Sequence, residues 1–208
     1  SRNFSESNLS NSIFDNADLT EANFYHAVIV GNDFTKIKNK SLAGADLSIA
    51  SLTYSNLSDV DLSGVTVSET NFWKSDLSDV DFTVISNKLI FGSKFYESNL
   101  ANANFEGVDL APKKIITNVF KNKASFVNLS DADLIVNLYD GYDHILIISK
   151  EVRGNDLVLE VVSNNNFVSA NLENTNFKDA DLRYTGFYLA DLTNADLSGA
   201  DLRNAYFG

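Results

Sequence analysis

From Asn165 to Gly208 a Phe or Leu stands at every fifth residue: Phe167, Leu172, Phe177, Leu182, Phe187, Leu192, Leu197, Leu202 and Phe207. Two positions before each, in eight of nine cases, is a small residue: Ala170, Thr175, Ala180, Thr185, Ala190, Ala195, Ala200 and Ala205. Five is neither the helical spacing of three and four nor the alternation of a strand. An apolar pair two apart, followed by a gap of three, describes a short extended step and then a turn. A short fixed period of this kind specifies a solenoid.

The same ruler runs through the beginning of the chain, at Phe4, Leu9, Phe14, Leu19, Phe24, Ile29 and Phe34. Large residues alternate there so that Phe4 matches Phe24 and Phe14 matches Phe34, a superperiod of twenty. Four steps would close one square coil and stack like residues in columns. Of 15 Phe residues, 13 fall on the ruler, all but Phe91 and Phe126. That assigns them to the core rather than to a nucleic-acid stacking platform.

The Ala-(Asp/Asn)-Leu-X-X motif, as in Ala195-Asp196-Leu197 and Ala200-Asp201-Leu202, resembles the pentapeptide repeat family. The resemblance implies an all-β fold, a right-handed quadrilateral parallel β-helix of four pentapeptides per coil. The large residue and the small one two before it would face inward. Counting the ruler throughout, with Ile115, Phe120, Leu129 and Leu134 included, gives 34 units, or about eight coils and a rod roughly 40 Å long at the inter-strand spacing.

Following the ruler also locates its breaks. Steps of eight residues separate Phe34 from Leu42 and Phe82 from Ile90; a step of nine separates Phe120 from Leu129. The chain is therefore expected to be one solenoid domain interrupted at 35–41, 83–89 and 121–128. Each boundary loses the small inward residue, with Lys40, Lys88, Lys113, Asn118 and Asn165 in its place. Lys36, Lys38, Lys40, Lys88, Lys113, Lys114, Lys121 and Lys123 lie in or beside these breaks, as solvated loop residues do. The interruption after Leu134 is longer. Within it, His144–Ser149 and Asp156–Val162 are β-rich runs flanking Arg153-Gly154-Asn155-Asp156, which predicts a β-hairpin insertion at 139–164. Both faces of its strands read as apolar, so the hairpin must pack on the coil, on a partner or on a copy of itself. Ile145, Ile147, Arg153, Leu157 and Leu159 are its candidate partner-binding residues.

With 28 acidic against 16 basic residues the formal charge is −12, which argues against nucleic acid and anionic membrane as partners. Acids concentrate between Leu42 and Phe82, where Asp46, Asp59, Asp61, Glu69, Asp76, Asp79 and Asp81 face Lys74 alone. Counted in units of four, Asp46, Asp109, Asp133, Asp181 and Asp201 fall on one side; Asp18, Asp61, Asp81 and Asp196 fall on the adjoining one. Rows of carboxylates at about 4.8 Å invite a basic partner, so Asp46, Asp61, Asp76 and Asp81 are candidate contacts. Some bacterial pentapeptide repeat proteins are acidic rods that mimic DNA and bind type II topoisomerases. The resemblance implies that gyrase binding is the alternative to a general protein-binding scaffold. Those proteins carry a dimerising C-terminal helix, whereas these repeats run to Tyr206-Phe207-Gly208.

Catalytic signals are weak. The chain has no Cys and only two isolated histidines, His26 and His144, so neither a thiolate metal site nor a Ser/His/Asp constellation is available. Neither glycine-rich phosphate loops nor glycine-rich calcium rolls occur. The sequence thus reads as a non-enzymatic scaffold with no cofactor, no metal and a protein partner, expected in the cytoplasm. No capping element marks either end, which predicts either a piece of a longer protein or end-to-end or hairpin-mediated association of copies.

Overall fold

The computed structural model describes residues 2–111 and 165–208 together with the backbone of four strands between them. The chain forms two compact units, one of residues 1–111 with 165–208 and one of residues 112–164.

The first unit is a parallel β-helix whose logic lies in the backbone hydrogen bonds of a single pentapeptide. The carbonyl of each central Phe or Leu accepts from the N–H three residues on, as in Ala22 N to Leu19 O at 3.2 Å and Ala45 N to Leu42 O at 2.9 Å. The residue at the second turn position then takes a left-handed conformation, as Glu6, Asn16, Glu21, Tyr54, Lys74, Asp179 and Asn194 do, with φ between 55 and 59. Extended residues on either side bond to the next coil, for example Phe24 N to Asp46 O at 2.8 Å and Asp46 N to Ala22 O at 3.0 Å. The left-handed residue does likewise, Glu21 N reaching Ala43 O at 2.8 Å. That leaves one N–H per unit without a backbone partner, on the residue directly after the central one. The side chain before the central residue takes it: Asp46 Oδ1 accepts from Ser48 N at 2.9 Å, Asn56 from Ser58 N at 3.0 Å and Asp196 from Ser198 N at 2.9 Å. Asp and Asn recur at this position because they are the residues that cap such a turn.

Parallel bridges stack the units in four columns. One runs Asn3, Asn23, Asp46, Thr66 and, through Val67–Ser68 (β1) paired with Ile90–Phe91 (β2), on to Leu89, Asp109, Asp181 and Asp201. The second holds Asn8, Val28, Ser51, Asn71, Lys94, Asn166, Gly186 and Tyr206. A third links Asp33, Asn56, Asp76, Asn99, Asn171 and Asp191; the fourth contains Ser41 with Asp61, and Asp81 with Asn104, Asn176 and Asp196. Amide side chains stitch neighbouring coils, Asn171 to Asn99 at 3.0 Å and Asn176 to Asn104 at 3.1 Å.

Inside, the central residues stack ring on ring. Phe4 lies over Phe24 at 5.2 Å, Phe95 over Phe167 at 4.8 Å and Phe82 over Phe105 at 4.3 Å. Each aromatic coil before that of Phe187 puts two Phe residues on opposite sides and aliphatics on the other two. In the first coils the Phe pair occupies the first and third columns (Phe24, Phe34); from Phe72 and Phe82 onward it occupies the second and fourth. The coil between is wholly aliphatic, Leu47, Leu52, Leu57 and Leu62, all fully buried.

Two of the expected breaks are copies of one device. Asp33-Phe34-Thr35-Lys36-Ile37-Lys38-Asn39-Lys40 and Asp81-Phe82-Thr83-Val84-Ile85-Ser86-Asn87-Lys88 share six of eight residues. Each folds as two 3-10 turns, Phe34–Lys36 with Lys38–Lys40 and Phe82–Val84 with Ser86–Lys88. Asn39 and Asn87 turn left-handed at φ 58 and 55, followed by Lys40 at 48 and Lys88 at 50. Ile37 and Ile85, each 4% exposed, fill the widened corner. The elbow lengthens its coil without breaking the ladder, so bridges such as Asp33 to Asn56 and Asn71 to Lys94 reach further along the chain than Asn3 to Asn23 does. The expected break at 121–128 lies outside the described residues.

The second unit corrects the unit count. Ile115 and Phe120 were expected to be rungs, but Ile115–Phe120 (β3) pairs antiparallel with Asp156–Ser163 (β6) over its whole length. Five-residue spacing placed them on the ruler by coincidence; the residues two before them, Lys113 and Asn118, are not the small ones most rungs have. Leu129 and Leu134 lie outside the described residues. Ile135–Asn137 (β4) and His144–Arg153 (β5) complete an antiparallel sheet of order β3-β6-β5-β4. The coil itself passes from Asp109 to Asn166. Asn99 bridges Asn171 and Asp109 bridges Asp181, just as Asn3 bridges Asn23, so the segment 112–163 is interposed with the register intact.

Asn165 closes that splice. It is fully buried, its Nδ2 donates to Ile90 O at 3.0 Å and Leu110 O at 2.6 Å, and its Oδ1 accepts from Ser93 N at 2.9 Å. Asn165→Ala leaves buried backbone groups unpaired and should lower stability by about 2–3 kcal/mol in urea unfolding. Ile49 points the other way. It is a β-branched residue in the left-handed region at φ 60, where L-residues lose roughly 1–2 kcal/mol. Ile49→Asn is expected to raise stability by about 1 kcal/mol, read as an increased Tm.

Candidate interaction surfaces

The four acidic candidates do not gather in one patch. Asp46 stands in the column of Asp109, Asp181 and Asp201; Asp61 and Asp81 belong to the column of Asp196; Asp76 lies in a third, beside Asn99. The two acidic rows counted from the sequence, Asp133 apart, are therefore real columns, while Asp133 lies outside the described residues. Each candidate caps its own turn. Asp61 Oδ1 accepts from Ser63 N at 2.9 Å and Ser63 Oγ at 2.6 Å, and Oδ2 accepts from Ser41 Oγ at 2.8 Å. Asp76 Oδ1 takes Ser78 N at 3.0 Å, Ser78 Oγ at 2.7 Å and Asn99 Nδ2 at 3.0 Å; Asp81 Oδ1 takes Thr83 N at 2.9 Å.

The Ser63 hydroxyl holds Asp61 below its ordinary value against the opposing effect of burial. Asp18, bonded first by the Thr20 hydroxyl, then by the Thr20 N–H and by Lys38, falls to about 2. Asp201, held by the Arg203 guanidinium, also falls to about 2. Asp181 is lowered by its hydrogen bonds from Arg183, whose guanidinium also lies 3.7 Å from Asp201.

The lysines of the first break are held by the coil. Lys36 pairs with Asp33 at 3.1 Å, Lys38 with Asp18 at 3.3 Å and Lys40 with Asp59 at 3.1 Å. Such exposed pairs add little stability. Lys113, Lys114, Lys121 and Lys123 lie outside the described residues.

The hairpin candidates occupy defined register positions. Ile147 is opposite Val161, Lys150 opposite Leu159, Val152 opposite Leu157 and Arg153 opposite Asp156, with a register shift between Ile147 and Ser149. By the alternation of a pleated strand, Ile145, Ile147, Leu157 and Leu159 share one sheet face and Arg153 belongs to the other. That second face carries Glu151 and Glu160 together with Leu146, Val158 and Val162, and the first carries Lys150 opposite Leu159, so both faces mix apolar with charged residues.

A further surface was not anticipated. At the corner following the second column, the turn residues of successive coils are Thr53-Tyr54, Trp73-Lys74, Tyr96-Glu97, Val168-Ser169 and Tyr188-Leu189, joined by Tyr54 N to Trp73 O (3.0 Å), Lys74 N to Tyr96 O (3.1 Å), Glu97 N to Val168 O (3.0 Å) and Ser169 N to Tyr188 O (2.9 Å). The Tyr54 and Trp73 rings lie 5.3 Å apart, and Lys74 sits over Trp73 at 5.1 Å and Tyr54 at 5.8 Å. Lys74 also pairs with Glu97 at 3.2 Å. Burial raises the Glu97 pKa, but hydrogen bonds from Tyr96, Lys74 and Trp73 outweigh it and leave the group below its ordinary value. The sequence carried a signal, an aromatic one or two residues after the central residue in four of five successive coils, visible only when the elbow lengths are known.

The family model described as "Pentapeptide repeats" matches residues 3–38, 39–68 and 170–208 in eight copies. The chain belongs to the pentapeptide repeat family. The parallel coil is accordingly the right-handed β-helix of that family. Among solved structures it is similar to the pentapeptide repeat protein Rfr23 from the cyanobacterium Cyanothece 51142, at 17% identity over 82% of this chain and 92% of that one, with a TM-score of 0.50. HetL, a pentapeptide repeat protein involved in heterocyst differentiation regulation from Nostoc sp. strain PCC 7120, matches at 25% identity over 98% and 75%, with a TM-score of 0.32. Trypsin-treated QnrB1, a plasmid-mediated fluoroquinolone resistance protein, matches at 15% identity over 100% and 87%, with a TM-score of 0.43. No curated protein matches the chain in sequence. Among the described residues no helix is long and apolar enough to cross a membrane, and no group of three His, Cys, Asp or Glu could hold a metal ion.

Replacing a cap tests its role. Asp61→Ala should cost about 1 kcal/mol whereas Asp61→Asn, which keeps the accepting oxygen, should be near neutral. The lowered carboxyls also fix a pH dependence. Their folded pKa values lie below the unfolded value near 3.9, so their contribution is complete above it and is lost as pH falls through the folded values. The urea midpoint should stay level from pH 8 to about 5 and decline between about 5 and 2.

Proposed function

We propose that this chain is a non-enzymatic protein-binding scaffold. In this reading a quadrilateral β-helix of about eight coils holds residues 112–163, with the β5–β6 hairpin at their centre, as a recognition element. The observation that carries it is the unbroken ladder across the insertion. Coils on both sides keep their register while the whole of 112–163 leaves and returns at one turn, so nothing in the coil requires it. Solenoids tolerate this because each coil contacts only its neighbours, and segments carried on a rigid frame are where binding function concentrates. The sheet supplies the means: one face collects Ile145, Ile147, Leu157 and Leu159, with Lys150 opposite Leu159, which suits an apolar protein surface, and Arg153 lies on the other face. A reducing, cytoplasmic setting fits a chain without cysteine.

The alternative, an acidic mimic of DNA that binds gyrase, finds support in the aspartate columns. Their carboxylates, however, serve the turns of the repeat itself, and this accounts for the acidity without a partner. A gyrase supercoiling assay separates the two: the scaffold reading expects no inhibition at micromolar protein, and inhibition would favour the mimic.

Excision tests the scaffold directly. Deleting 112–163 joins Ala111 to Asn164 and sets Leu110 and Phe167 one pentapeptide apart. Asn164 then occupies the left-handed position, Asn165 the inward one and Asn166 the cap. The shortened chain should keep a cooperative thermal transition and its β circular dichroism, while losing partners captured by the full chain in pull-down. Loss of the cooperative transition would mean that the insertion is part of the structural frame instead.

A further inference from the structure

We propose that the aromatic corner formed by Tyr54, Trp73, Tyr96 and Tyr188 is a docking surface for a proline-rich protein segment in the polyproline II conformation. Three independent observations converge on that ligand.

The first is spacing. Tyr54, Tyr96 and Tyr188 stand on every second coil, and two coil steps of about 4.8 Å make about 9.6 Å. One turn of a polyproline II helix, three residues of about 3.1 Å, advances about 9.3 Å, so prolines three apart meet rings two coils apart. Tyr54 is 53% exposed and Tyr188 42% exposed, leaving ring surface for them.

The second is a lapse in turn capping concentrated in this column. Elsewhere only Ile13, Ser41, Thr66 and Leu89 replace Asp or Asn before the central residue, whereas this one column has Val28, Ser51, Lys94, Gly186 and Tyr206 there. Consequently no capping Asp or Asn side chain stands ready for the turn N–H groups of Val30, Thr53 and Tyr188. A polyproline II segment has no internal hydrogen bonds and offers its carbonyls, which N–H donors beside aromatic rings are placed to bind. Aromatic-lined surfaces of this kind are a general solution to proline recognition.

The third is electrostatic. Lys74 is committed to Glu97 and to the two rings, whereas the column bordering the corner on the far side carries Asp33, Asp76 and Asp191. A proline-rich segment flanked by Arg or Lys therefore complements the site. A neutral sugar chain, the other ligand that stacks on aromatic rings, would gain nothing from that border.

This inference rests on the scaffold reading and names the chemistry of one partner. Its failure is distinguishable, because excision of 112–163 removes the inserted sheet and none of the corner residues. Trp73 is the one tryptophan in the chain, so its fluorescence reports the site in the intact protein. The full chain would be titrated with an Arg-flanked proline-rich decapeptide, a Gly/Ser decapeptide of equal charge, and a cello-oligosaccharide, with peptide binding checked by polarisation of labelled peptide. The expected result is saturable binding of the proline peptide alone, weakened about tenfold or more by Tyr54→Ala and by Tyr188→Ala. Tyr25→Ala, at a different corner, should leave it unchanged. Absence of saturation at millimolar peptide, equal binding of the Gly/Ser peptide, preference for the oligosaccharide, or insensitivity to both corner substitutions would overturn the proposal.

Discussion

One backbone N–H in every five dictates much of this sequence. A pentapeptide corner satisfies four of its N–H groups through the turn and through neighbouring coils, and leaves the donor after the central residue facing outward. An Asp or Asn immediately before the central residue supplies the acceptor, as Asp46 does for Ser48 and Asn176 for Lys178 at 2.9 Å. A coil of bare backbone would carry one such unpaired donor at every corner. The acidic character of the surface follows from this local need, since Asp satisfies the turn as well as Asn and adds a charge. The column in which the cap most often lapses is also the one that gathers aromatic side chains. Solvent-facing chemistry thus changes where the repeat relaxes its demand.

The core imposes a second constraint, one of volume. Two opposed Phe rings and two aliphatic side chains fill a coil, and rings of successive coils stack closely, at 5.2 Å for Phe72 and Phe95 and 5.3 Å for Phe167 and Phe187. Moving the aromatic pair to the other two columns in adjacent coils would crowd four rings around one corner of the core, and overpacking costs as much as a void. The all-leucine coil of Leu47, Leu52, Leu57 and Leu62 separates the two arrangements. Edge-to-face contacts across a coil, such as Phe82 with Phe95 at 6.0 Å, complete the filling within each half.

Most of the coil was legible in the sequence because its rule is local. The phase of Phe and Leu, the match of Phe4 with Phe24, and the column of Asp46, Asp109, Asp181 and Asp201 all follow from counting in fives and twenties. What escaped lay where counting is blind. Ile115 and Phe120 fell on the ruler although their run of Ile, Val and Phe pairs as a long strand, and spacing cannot tell one such strand from two rungs. The elbows were visible as lysine-rich breaks, but their shared Asp-Phe-Thr-X-Ile-X-Asn-Lys pattern, with Ile filling a widened corner, identifies them as regular parts. The aromatic corner was hidden for a related reason. Turn positions face solvent, so the repeat leaves them free to vary, and Tyr54, Trp73 and Tyr96 align only after the elbow-lengthened step between the last two is admitted.

The insertion point shows why such a frame can gain a sheet without losing its fold. Closing a loop as long as 112–163 costs an entropy that grows only slowly with length, and that cost falls on a single turn. At that turn the small inward side chain is replaced by Asn165, which uses its amide to bond Ile90 O, Leu110 O and Ser93 N. An alanine there would fill the space a rung usually gives it but would leave those three groups without the amide that bonds them. The lost alanine at position 165, which first looked like a fault in the repeat, is therefore its repair. A coil whose hydrogen bonds are settled locally can be cut at one corner and rejoined by one side chain, which makes a pentapeptide solenoid a frame on which other structures can be mounted.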